Sequence, residues 1–155
     1  VLEVAPYFLS ISPLDVDYLE LLYGFDFQCG GNHDAIVFDA LLAGSPLAAL
    51  VDPRSGVPID CQPMLGIGLG ESADVQAHFE IKTRTPGRAD RSGDVEPQPL
   101  SIFLTLRKHG SVKDVGDLLA DFDRLARAGE QLLQQRVVPN LVMPIREAIA
   151  ASGSN

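Results

Sequence analysis

Met64-Leu65-Gly66-Ile67-Gly68-Leu69-Gly70 alternates a large apolar residue with glycine. A period of two is the signature of a strand, because successive side chains point to opposite faces of a pleat. One face then carries Leu65, Ile67 and Leu69, and the other presents bare backbone at Gly66, Gly68 and Gly70. Glycine weakens a strand, so three of them on one face predict close packing there by a helix, a second subunit or a ligand.

Two further strands follow downstream. Val75–Thr85 sets Val75, Ala77, Phe79 and Ile81 against Gln76, His78, Glu80, Lys82 and Arg84, the pattern of an antiparallel strand with one wet face. Leu100–Lys108 turns Leu100, Ile102, Leu104 and Leu106 inward. Between them, Pro86–Pro99 is polar and rich in Gly and Pro, which predicts a mobile loop. Upstream, Tyr7–Ser12 is β-prone and bounded by Pro6 and Pro13, which suits a first or edge strand. Leu19–Phe27 alternates, with Leu19, Leu21, Tyr23, Phe25 and Phe27 on one face. Asp17–Tyr23 also tolerates a helical reading, but the alternation favours the strand.

Helical signals are of two kinds. Asn32 can cap a helix carrying Ile36, Val37, Ala40 and Leu41 and ended by Gly44, and Ser45-Pro46 opens a second short helix to about Val51. The C-terminal third is a longer helix. After a capping pattern at Ser111, its stripe is Val115, Leu118, Phe122, Leu125, Gly129 and Leu132, widened by Leu119 and Leu133. It is expected to run to about Val138 and to stop or kink at Pro139, with Pro144 starting a final short helix. The order β-β-α-β-β-β-α predicts an α+β two-layer sandwich. A mostly antiparallel five-strand sheet would have the long C-terminal helix on its apolar face.

Composition narrows the class of function. A chain of 155 residues is expected to form one domain over 1–155 and to bury a core without staples. Its start at Val1 rather than Met leaves room for a longer parent chain. The 46% hydrophobic content and mean hydropathy of +0.12 favour an additional buried surface, such as a subunit interface. Twelve basic against 21 acidic residues give a net charge of −9, which argues against nucleic acid and anionic membrane surfaces as partners. No apolar run approaches the roughly 20 residues that span a bilayer. Cys29 and Cys61 make no disulfide framework, so a cytoplasmic location is expected.

Three constellations invite chemistry. Cys29-Gly30-Gly31-Asn32-His33-Asp34 places a thiol, an imidazole and a carboxylate at a helix N-terminus. Free N–H groups there favour an anion and would lower the thiol pKa. Two glycines for a turn, an Asn cap and a small core Cys explain the same residues without chemistry. Cys29, His33, Cys61 and His78 supply four zinc-capable ligands, but their spacing matches no ligand-pair motif, and no metal site is expected. Asp15, Asp17, Asp26, Asp34, Asp39, Asp52 and Asp60 sit at turns or strand edges, where aspartate bonds its own backbone. His109, before Gly110, reads as a solvated turn residue. No nucleophile elbow, H-E-x-x-H or cofactor fingerprint is present, and no cofactor is expected.

A fourth feature is not catalytic. Phe8, Leu22 and Phe103 interrupt the wet sheet face and, with Gly66, Gly68 and Gly70, would form an apolar patch if the strand registers align. The expectation is therefore a non-catalytic association or binding module, pairing as a homodimer or with another chain through the open sheet face or the C-terminal helices. The alternative is a small-molecule enzyme or anion-binding domain centred on Cys29, His33 and Asp34.

Overall fold

The computed structural model describes residues 16–52, 54–83, 99–112 and 114–153. Its elements are β1 (Val16–Phe27), α1 (His33–Leu41), a short 3₁₀-helix (Pro46–Leu50), β2 (Met64–Leu69), β3 (Val75–Lys82), β4 (Leu100–Val112), α2 (Val115–Leu132), a wide-turned helical segment (Leu133–Val142) and α3 (Met143–Ser152). The protein is α+β, with one antiparallel four-strand sheet ordered β1-β4-β3-β2. The fifth expected strand, Tyr7–Ser12, lies outside the described residues, as does nearly all of the Pro86–Pro99 loop.

Register aligns the apolar sets of all four strands. Leu21 and Ala77 flank Leu106, Tyr23 and Phe79 flank Leu104, and Phe25 and Ile81 flank Ile102. Leu65 and Ile67 continue the same face opposite Phe79 and Ala77. Leu100, Ile102, Leu104 and Leu106 are completely buried, because β4 has a strand on either side and helices above. Each such side chain contributes roughly 1.5–3 kcal/mol of transfer free energy. The helical reading of Asp17–Tyr23 is not realised.

The chain leaves β1 through Asn32, whose side-chain oxygen accepts from the Ala35 N–H and so caps α1. This helix ends at Leu41, three residues short of Gly44, and the chain then crosses to the far edge of the sheet at β2. Ser45 caps the 3₁₀-helix, with Pro46 in its first turn.

The helical tail meets the apolar face at α2. Gly129 lies over the Tyr23 ring, and a Cβ there would sit 2.4 Å from Tyr23 Cε2. Leu118, Leu125 and Gly129 of the expected stripe are buried, whereas Leu119 is exposed and does not widen it. The cap is Asp114, accepting from the Asp117 N–H at 2.8 Å, rather than Ser111.

Pro139 neither stops nor ends the helix. The backbone passes through it in a widened i→i+5 coil and resumes α-geometry at Met143. A proline inside a regular α-helix clashes with the carbonyl four residues back, and a widened turn relieves that conflict.

Candidate functional site

The residues expected around Cys29–Asp34 are built into the fold in different directions. His33 and Asp34 are buried, at 3% and 4% exposure. The Asp34 carboxylate accepts from the Cys61 N–H at 2.9 Å and from the Thr83 hydroxyl, tying α1 to two distant segments. His33 Nε2 lies 3.0 Å from the Cys29 carbonyl oxygen. Asn32 donates to the Pro58 carbonyl as well as capping. A cleft of about 670 Å³ does open beside this turn, lined by Cys29, Gly30, Gly31, Asn32, Asp39 and the end of α3, but neither His33 nor Asp34 lines it. Burial pushes the Cys29 thiol up from its ordinary value, opposite to the lowering expected at a helix N-terminus. Cys29 thus lines the cleft, while His33 and Asp34 are buried behind it in contacts with the backbone and with Thr83. Among the described residues no group of three or more His, Cys, Asp or Glu side chains is placed to hold a metal ion.

The wet sheet face is a lattice of polar contacts. Arg107 bonds Glu20 at 2.6 Å and stacks over the Tyr18 ring at 4.7 Å. Lys82 pairs with Glu80 at 3.2 Å, and the Ser101 hydroxyl donates to Asp26 at 2.6 Å. The exposed Lys82–Glu80 pair is worth about 0.2–1 kcal/mol. His109 belongs to β4 rather than to a turn, and its ring approaches that of Tyr18.

Register sets Leu22 and Gly66 of the expected patch apart, while Phe103 is a diagonal neighbour of Leu22. Leu22, Thr105, His78 and Gly66 form one row across the four strands, so Thr105 and His78 separate Leu22 from Gly66 by about 14 Å. Phe103 rests against Gly24, where a Cβ would meet its ring at 3.3 Å. Phe8 lies outside the described residues.

The glycines each answer a local need. His78 Nδ1 stands 3.2 Å from where a Gly66 Cβ would be, and Ala73 Cβ only 2.6 Å from that of Gly68. Gly70 has φ +73°, in the left-handed region, and turns the chain out of β2.

A second cavity of similar size lies at the β2 edge and involves none of the expected chemical residues. A groove of about 650 Å³ runs between β2 and the widened helical segment. Its floor is Leu65, Ile67 and Phe79, and its far wall is Leu132, Arg136, Val137, Asn140 and Leu141. These wall positions recur every four to five residues, so an i→i+5 coil brings them to one side. The strand alternation put Leu65 and Ile67 on the core face correctly, yet at the sheet edge they remain 60% and 37% exposed. Nothing in the heptad-like spacing up to Leu132 announces the wider coil that follows. Met64 and Pro63 close one end.

The chain matches no known protein family, no curated protein and no solved structure. Among the described residues, no helix is long and apolar enough to cross a membrane.

Proposed function

We propose that this protein is a non-catalytic association module that pairs with a second copy of itself along the β2 edge. In that reading the sheet and the helical tail form two layers, and the contact lies at the rim between them rather than on the wet face. The observation that supports it is a concentration of exposed apolar side chains. Leu47, Leu50, Val57, Ile59, Met64, Leu65 and Ile67 account for seven of the ten large hydrophobic residues exposed among the described residues. All seven fall in one stretch of chain, residues 47–67, which runs into the edge strand β2.

The edge itself favours pairing. β2 ends the sheet among the described residues, and Met64–Leu69 contains no charge and no proline, the usual devices that keep an edge strand from adding a neighbour. Two such strands meeting antiparallel about a twofold axis make an isologous contact. Sedimentation equilibrium at micromolar concentration tests the proposal. A dimer is expected, with Ile59→Asp combined with Leu65→Asp shifting it to monomer. A wild-type monomer refutes it.

A further inference from the structure

We propose that the groove between β2 and the widened helical segment is a binding site for a free unbranched-chain carboxylate, with the chain along Leu65, Ile67 and Leu141 and the carboxylate on Arg136. The proposal does not rest on self-association, although it draws on Leu65 and Ile67, which that reading also counts.

Size and lining agree on a small amphipathic ligand. Pockets for such molecules span about 300–1,000 Å³ and are mostly apolar with a few placed polar groups. This groove holds about 650 Å³, and every lining residue except Arg136 and Asn140 is apolar. No carboxylate lines it, although the chain carries 21 acidic residues and a net charge of −9. The one cation is therefore set where nothing anionic competes for it. Among the described residues Arg136 takes part in no ion pair, as is also true of Arg54 and Arg146, but of these three only Arg136 lines the groove. A planar guanidinium matches a carboxylate with two parallel hydrogen bonds, which makes the missing counterpart a carboxylate rather than a neutral polar head. Asn140, one wide turn on, donates to the Arg136 carbonyl at 2.8 Å and steadies the coil at that point. The acid head thus meets charge at the rim, and the chain lies over apolar floor.

Isothermal titration at pH 7.5, with decanoate below its micelle threshold, tests this directly. A carboxylate is fully ionised there. Saturable 1:1 binding is expected, with 1-decanol about three- to tenfold weaker, as befits a partly exposed charge-assisted contact. Octanoate should also bind more weakly, by up to about fourfold for each methylene lost. Arg136→Gln, at an exposed position, should bring decanoate down to the alcohol's affinity and leave the alcohol unchanged, with the thermal midpoint preserved. The proposal is overturned by absence of decanoate binding to folded wild-type protein. Equal binding of acid and alcohol, or an acid preference that survives Arg136→Gln, overturns it as well. A monomer that binds decanoate refutes only the association reading, and a dimer that does not bind it refutes only this one.

Discussion

Gly129 is where a single hydrogen matters most in this fold. Alanine at a helix interior ordinarily gains about 1 kcal/mol over glycine. Here the added methyl would lie 2.4 Å from Tyr23 Cε2 and 2.8 Å from its hydroxyl oxygen, so the ring must move out of the α2 contact. Overpacking of that kind costs about 1–3 kcal/mol, and we expect Gly129→Ala to lose up to about 2 kcal/mol net in urea unfolding. Tyr23→Leu, which shortens the opposing side chain, should recover most of the loss in the double variant.

Asp74 gives a pH signature at the same scale. Hydrogen bonds from the Ser72 hydroxyl and from Arg124, with the charge of that arginine, hold its carboxyl down at about 2. A folded value below the unfolded one means a stabilising contribution present in full above the unfolded value and lost as pH falls towards the folded one. The stability difference between wild type and Asp74→Asn should accordingly be constant above about pH 5 and shrink progressively as pH falls through about 2. A difference that does not change between pH 5 and pH 2 contradicts the contact.

Among the elements, β2 shows how much local sequence can reveal and where it stops. The strand, its apolar face and its end at Gly70 all follow from alternation. The reason for the glycines does not, because it lies in the turn beyond. Ala73 has φ +49° and its methyl lies against Gly68. We expect Gly68→Ala to destabilise and Ala73→Gly to rescue it, whereas Gly66→Ala, which meets only a movable imidazole, should be close to neutral; thermal midpoints of the four variants decide this. A similar boundary runs through the tail. Leu118, Leu125 and Gly129 were legible as a stripe at helical spacing. The coil after Leu132 was not, since Pro139 reads as a breaker unless the turn around it widens. His33 and Asp34 likewise looked reactive beside Cys29, and only their hydrogen bonds to segments near and far in the chain reveal a structural fastening.

For the whole molecule, α+β class and antiparallel pairing were readable because each strand declares its buried face independently. What no single strand could declare was neighbour order. Placing β4 beside β1 leaves β2 at the far edge and sets Thr105 and His78 between Leu22 and Gly66. If two copies share the β2 edge, mass action couples folding to association. The thermal midpoint should then rise as protein concentration increases, and a midpoint independent of concentration speaks against the pairing. The widened coil has a longer reach than its ten residues suggest. Pro139 lines no part of the groove, yet it is the residue that a regular helix would not tolerate. With alanine in its place the coil is free to tighten to about 3.6 residues per turn, and Arg136 would rotate about the axis relative to Leu132 and Leu141. What fits beside β2 is thereby governed from outside, by the pitch of a screw thread whose setting the guest never touches.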